Sequence, residues 1–528
     1  MQQLVRGGFA ALDAGDRELA VDCCRRILAE RPGMARGHYL AGLIALDAGD
    51  IASAEKAFAT TVELNDQHAG AWAQLARLYL LAGEFVKAEG CLSNAVATTR
   101  GNANVADLIG TVCRLFGMHD ASRNWHRRAV EAAGDHVPFR INLANAELYA
   151  GDSTAAEIQL RHCLDREPRN PLAHWLLARA REATSDDHIR QMDALLSKPQ
   201  DPQSIAYLNY AVGKEYEDLE QWDAAFTAYR GGAAARRECV AFDEQSDVDL
   251  FERMVSLFTE EWLDVRQSDC KSSAPVFILG QPRTGSTLLD RMLDAHPAVV
   301  SAGELRHFGL ALRRVAEIDE PRQYTAKLMD AAASVEITAL GELYMASIDR
   351  FRGQAAHVID KLPTNYHFLP LILAALPNAK ILHIRRDPMD TCFAVYKQLF
   401  AGAYLHSYEL GEMGRHFVRY SRYMQTMRER FGGRFHEIRY EDLVTDTEEC
   451  LRRVLDYVGL SWNAACLDYA HRTAAVATQS AAQVREAPHR RSIGRWRRYR
   501  HQLEPLRQIL DEAGLLGVND LDADGADA

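Results

Sequence analysis

FILGQPRTGSTLLDRMLDAHP, Phe277 to Pro297, joins an apolar run to a glycine-bounded turn and then to a segment whose leucines and methionine recur at helical spacing. Strand, turn and helix in that order direct backbone N–H groups and the positive end of a helix dipole at one point, where an anion is stabilised. The turn keeps Gly280 and Gly285 five residues apart, with the hydroxyls of Ser286 and Thr287 behind them, and differs at one residue from a Walker-type phosphate loop. The departure is informative: no lysine precedes the hydroxyls, and Arg283 stands inside the turn instead. Loops that handle nucleoside triphosphates use that lysine with magnesium to neutralise the β- and γ-phosphates, so a triphosphate is a poor ligand here. A P-loop nucleotide kinase or NTPase is the alternative reading, and it needs a strand-end magnesium carboxylate, for which Asp360 is the candidate.

Around this loop, short aliphatic or β-branched runs alternate with helical segments. Pro275 to Gly280, His357 to Asp360, Ala379 to Asp387 and Phe435 to Tyr440 read as strands, three of them almost continuously apolar. That alternation predicts an α/β domain with a mostly parallel sheet covered on both faces. Ligands of such sheets bind beyond the carboxyl ends of the strands, where Arg283, Lys361, Arg386 and Tyr440 fall.

The first half follows a different rule. Gly15, Gly49, Gly83, Gly117 and Gly151 recur every 34 residues, with small residues seven before each (Gly8, Gly42, Ala76, Gly110, Ala144) and five after (Ala20, Ala54, Ala88, Ser122, Ala156). Small side chains let paired helices approach, and the glycine ends the first helix of each pair. The pattern resembles the tetratricopeptide repeat, with Pro32 and Pro168 where that repeat often stops its second helix and a degenerate copy around Gly213 and Ala225. Stacked pairs form a solenoid whose concave face commonly receives a peptide or protein segment. Trp72, Trp125, Trp175 and Trp222 read as packing between repeats.

The expected organisation is multi-domain: an all-α solenoid over 1–238, a connecting helix and linker over 239–273, an α/β domain over 274–515, and an acidic tail over 516–528. The chain is 528 residues long, 48% hydrophobic and 25% charged, an ordinary globular composition. A formal net charge of -12 gives no general affinity for nucleic acid or membrane surfaces, so neither is expected as a partner. No signal-peptide pattern or membrane span is visible, and the ten cysteines include no CxxC pair, which predicts a cytoplasmic protein with free, mostly buried thiols.

PRTGSTLLDRMLDAHPAVVSAGE, Pro282 to Glu304, resembles the 5′-phosphosulfate loop of the sulfotransferases, particularly the protein-tyrosine sulfotransferase branch and its bacterial relatives. The resemblance covers nearly all of residues 274–510, with the motifs in family order. It implies a donor, 3′-phosphoadenosine 5′-phosphosulfate (PAPS), no metal, and transfer of the sulfuryl group to an acceptor hydroxyl. Arg283, Thr284, Gly285, Ser286 and Thr287 then hold the 5′-phosphate, and Glu304, 21 residues after Arg283, matches the family's catalytic glutamate. Lys361 in VIDKLPTN matches a lysine near the sulfuryl oxygens. In HIRRDPMDTCFAVYKQ, Arg386 matches the arginine on the 3′-phosphate, and Tyr440 in IRYEDLV matches a phosphate-binding tyrosine. Ser480 and Arg495 match a serine and a basic residue that close over the donor, with Arg490 to Gly494 around the 3′-phosphate.

One position departs from the family. Ala394 stands where a serine usually donates to the 3′-phosphate, so another donor, Thr391 or Tyr396, is expected nearby. The solenoid suits a protein or peptide acceptor, including a tyrosine presented by the repeats, while glycan, lipid and small-molecule hydroxyls stay open. A repeat scaffold carrying an inactive transferase domain is the remaining alternative, and the sequence leaves acceptor identity and oligomeric state open.

Overall fold

The five glycines of the 34-residue register all take left-handed backbone angles, with φ of 77°, 76°, 75°, 74° and 76° for Gly15, Gly49, Gly83, Gly117 and Gly151. Each follows a helix: Gln2–Asp13, Ala35–Asp47, Ala69–Leu81, Ala103–Leu115 and Val137–Ala150. A side chain there would clash with its own backbone, so glycine lets the chain reverse at once. Asp16, Asp50 and Asp152 come next, and each carboxylate accepts from the N–H three residues on, at 3.0, 3.0 and 2.9 Å, starting the second helix of the pair. Such caps stabilise a helix by about 1 kcal/mol each. The small positions have an equally local cause: a Cβ on Gly42 would lie 2.5 Å from the ring of buried Phe58.

The computed structural model describes residues 1–318, 324–469 and 489–517. It divides into two compact units, Met1–Ala146 and Glu147–Ala528. The first consists of the paired repeat helices. The second opens with further helices of the same kind, Ser153–Arg166, Pro171–Ala180, Pro202–Asp218 and Trp222–Cys239, and continues through Glu244–Leu257 into the α/β region. No helix among the described residues is long and apolar enough to cross a membrane.

The α/β region is built on a parallel sheet of β1 (Pro275–Gly280), β2 (Val299–Ser301), β3 (His357–Asp360), β4 (Lys380–Arg385) and β5 (His436–Arg439), in the order β2-β3-β1-β4-β5. Every residue of central β1 is buried, because helices cover both faces, which explains its unbroken apolar sequence. One face packs Val276 and Ile278 against Leu289, Met292 and Leu293 of helix Ser286–Asp294 and against Leu451, Val454 and Leu455 of helix Thr447–Val458. Phe277 faces the other way, stacking on Tyr344 at 5.4 Å and meeting Phe308 edge-on at 6.1 Å. The edge strand β2 was not among the four strands read from the sequence, since three residues are too few to show a period.

Trp222 differs from its reading as packing between repeats. It meets Tyr499 edge-on at 6.0 Å and carries the Arg498 guanidinium 4.4 Å above its ring. Arg498 is exposed and lies on this aromatic surface of the repeat helices.

Candidate active site

Each strand of the sheet delivers one sequence-predicted residue at its carboxyl end. Arg283 follows β1, Glu304 follows β2, Lys361 follows β3, Arg386 follows β4 and Tyr440 follows β5. Parallel strands all point the same way, so these side chains collect along one edge of the sheet.

The turn after β1 is tightly wound. Arg283 takes φ 67° and Gly285 φ 94°, both left-handed, and Thr284 donates its hydroxyl to the Gln281 carbonyl at 2.8 Å. Helix Ser286–Asp294 starts directly behind, with Ser286 and Thr287 buried at its first positions. Gly285 has a second reason to be glycine: a Cβ there would sit 2.4 Å from Cδ2 of the buried Tyr440 ring. Gly285→Ala therefore combines backbone strain with a clash and is expected to cost about 2 kcal/mol, read as a lowered unfolding midpoint in thermal melts. An unchanged midpoint would mean that the turn has another conformation available.

Electrostatics single out Arg283. Burial brings its guanidinium down to about 10, Arg386 pushes the same way, and Arg179 and Arg495 add to it, while the Tyr440 hydroxyl acts in the opposite direction. Cations held this close to one another repel, and an anion bound among them relieves that repulsion. Arg386 donates to the Arg283 carbonyl at 3.0 Å and to the Ser492 carbonyl, and lies 4.8 Å over the Tyr440 ring. Among the described residues, the buried Nε atoms of Arg386 and Arg495 have no hydrogen-bond partner.

On the β2–β3 side, Lys361 donates to Glu304 at 2.5 Å. The lysine is 1% exposed and the glutamate side chain 35% exposed, so the carboxylate faces outward from a buried ammonium. Asp290, on the helix after the loop, lies near enough to feel Lys361; burial lifts it to about 6, partly offset by that charge. Ser480 lies outside the described residues.

Helix Pro388–Tyr396 shows what became of the expected substitutes for a serine at 394. Thr391 donates its hydroxyl to the Asp387 carbonyl at 2.7 Å, one turn back in its own helix. The Tyr396 backbone carbonyl accepts from the Tyr210 hydroxyl, and its ring stacks 6.1 Å from Phe226 of the repeat helices. Asp390, which the sequence did not single out, accepts from the N–H groups of Gly494 at 2.6 Å and Trp496 at 3.1 Å, and so fixes the segment Arg490 to Gly494 against this helix. An aspartate three residues after another has no signal of its own; only the fold brings residues 494 and 496 to it.

Asp360, the carboxylate a magnesium-dependent reading requires, is turned into the core. It accepts from the Tyr344 hydroxyl at 3.0 Å and from Asn365 at 3.3 Å, and burial raises it to about 8 despite those bonds. Near neutral pH it is therefore an uncharged acid and a weak metal ligand. A raised carboxyl pKa means the folded protein binds a proton that the unfolded chain releases, so this group's contribution to stability falls as pH rises from about 4 to about 8. Asp360→Asn removes the ionisation, and the unfolding midpoint of the variant relative to the parent is expected to move in the variant's favour across that window. A constant offset would show that Asp360 ionises normally.

Comparison with known proteins matches residues 275–464 to the model described as the sulfotransferase family. Tetratricopeptide-repeat models match residues 8–59, 45–111 and 141–187. The sulfotransferase match contains all five strand-end residues and stops before Arg495. An uncharacterized protein of Aquifex aeolicus is 27% identical over 338 residues, covering 62% of this chain and 44% of its own. The protein-tyrosine sulfotransferase of Drosophila melanogaster is 25% identical over 200 residues, covering 37% of this chain and 40% of its own. The sulfotransferase domain of the Synechococcus PCC 7002 olefin synthase is 20% identical, covers 44% of this chain and 97% of that one, and superposes with a TM-score of 0.29. The chain thus spans less than half the length of these two curated relatives.

Proposed function

We propose that the sulfotransferase domain moves the sulfuryl group of PAPS to an acceptor hydroxyl. The observation that carries this reading is the gathering of Arg283, Arg386 and Arg495 at a strand-to-helix turn, where Arg386 donates to the Arg283 carbonyl and both neighbours act on the Arg283 guanidinium, a cluster of cations that attracts negative charge. A donor bearing a 3′-phosphate and a 5′-phosphosulfate supplies that charge at two points. In this reading Arg283 and the N–H groups of Thr284 to Thr287 hold the 5′-phosphate, while Arg386, Tyr440 and Arg495 serve the 3′-phosphate.

The chemistry asks little more of the protein. The acceptor oxygen bonds to sulfur as the sulfur–oxygen bond to the 5′-phosphate breaks, and the acceptor proton passes to Glu304. The electron pair stays on the departing phosphate oxygen, where Arg283 stabilises it, while Lys361 and Ser480 balance charge around the sulfuryl group. No metal takes part in this scheme. Lys361 carries three N–H donors, so it can turn from Glu304 toward the donor when one binds.

Two aromatic residues support a ring-bearing acceptor, including a protein or peptide tyrosine brought by the repeats. Tyr404 and Tyr324 are half-buried near one another, and Tyr404 lies within electrostatic range of Glu304. The test is incubation with sulfur-labelled PAPS and, separately, a simple phenol, an aliphatic alcohol and a tyrosine peptide. Label is expected on the phenolic acceptors first. Label on none, with magnesium ATP hydrolysed instead, would overturn the reading.

A further inference from the structure

Glu217 ends a repeat helix, yet its neighbours belong to the transferase region. Its Oε1 accepts from Lys397 Nζ at 2.7 Å and the Tyr499 hydroxyl at 3.1 Å, and lies 3.3 Å from Arg495 Nη2. Its Oε2 accepts from Lys397 at 3.0 Å and from the Tyr229 hydroxyl at 3.2 Å. The carboxylate is 8% exposed, and Lys397 facing it 10%. Burial alone would raise Glu217, but Lys397 and Arg495 outweigh it and bring the group down to about 2, so it is a carboxylate at every physiological pH.

Four elements meet at this one side chain: helix Pro202–Asp218, its partner Trp222–Cys239, the end of helix Pro388–Tyr396, and the 3₁₀ turn Arg495–Tyr499. Aromatic packing holds the same junction, with Tyr499 4.4 Å from Phe393 and 6.1 Å from Phe226. Arg495 is therefore fixed twice. Asp390 holds its backbone through the neighbouring N–H groups, and Glu217 holds its guanidinium. That guanidinium also belongs to the set of cations acting on Arg283.

We propose that Glu217 is a positioning residue for donor binding: a carboxylate of the repeat helices that aims Arg495 at the phosphate site around Arg283. The proposal rests on the donor reading above. It makes the last repeat helices part of the catalytic unit and gives them a task besides presenting an acceptor. A long arginine has many rotamers to lose on binding, and a carboxylate that orients it beforehand leaves less to lose when the phosphate arrives. The opposite effect is also physically available, because Glu217 is a negative charge near an anion site and its removal would attract phosphate more strongly if orientation were irrelevant.

The sign of the change therefore decides, and calorimetric titration of the full chain with 3′-phosphoadenosine 5′-phosphate reads it. Glu217→Gln keeps the shape and removes the charge, and is expected to weaken bisphosphate binding by about tenfold, the usual size of one lost charge-assisted contact. The loss is expected to shrink to less than about twofold when Arg495 is already alanine, because contacts that act through one another are not additive. Tyr499→Phe, which removes one bond to the same carboxylate and no charge, is expected to weaken binding about twofold to threefold and provides a second variant if Glu217→Gln fails to fold. Unchanged or tighter binding in Glu217→Gln, or an equal loss with and without Arg495, overturns the positioning role while the donor reading stands. Absence of bisphosphate binding by the unsubstituted protein overturns both.

Discussion

Glu304→Ala is expected to slow sulfuryl transfer by about 10³-fold while bisphosphate affinity changes by less than about threefold, the pattern of a lost general base. The carboxylate is the outward-facing member of the pair with Lys361, so its removal leaves the phosphate-binding edge of the sheet untouched. It also leaves Lys361, 1% exposed, without its described partner. Some loss of stability is therefore expected, and thermal melts separate that from the catalytic effect. Full transfer activity in a folded Glu304→Ala protein would remove this residue from the proton-accepting role.

Arg283→Ala is expected to weaken bisphosphate binding by about 10²-fold and to lower transfer with it, because one side chain serves both the bound phosphate and the departing one. Stability is expected to move the other way or not at all. Burial and the neighbouring arginines bring the folded Arg283 down to about 10, so its charge is less favourable folded than unfolded, and alanine relieves that cost in the absence of an anion. A variant that binds worse and melts no lower is the signature of a residue kept for its ligand. A variant that melts lower and binds normally would make Arg283 a structural element of the turn. Arg283→Lys is not expected to rescue fully, since a point charge replaces a planar fork.

What the sequence disclosed follows from how far apart the partners lie along the chain. The loop after β1 is legible because strand, turn and helix are contiguous, and the left-handed Gly285 and the buried hydroxyls follow from local rules. The repeats are legible because Gly15 and its four successors answer a backbone need that only glycine meets. Lys361, Arg386 and Tyr440 are legible as residues at strand ends, since a parallel sheet makes strand ends converge. Glu217 is not legible: it meets Lys397, 180 residues away, and no period or motif links the two. Asp390 and Arg179 were missed for the same reason, each acquiring its importance from chain segments that only the fold brings near. Thr391 shows the limit from the other side, because a hydroxyl at a plausible spacing is spent on its own helix backbone.

The most direct test is calorimetric titration of the unsubstituted protein with 3′-phosphoadenosine 5′-phosphate beside ATP with magnesium. Binding of the bisphosphate in the micromolar range or tighter, with none of magnesium ATP, is the expected result for a turn that holds Arg283 in place of the loop lysine. Binding of magnesium ATP alone, or of neither nucleotide, would contradict the assignment of the arginine-ringed turn to a phosphosulfate donor.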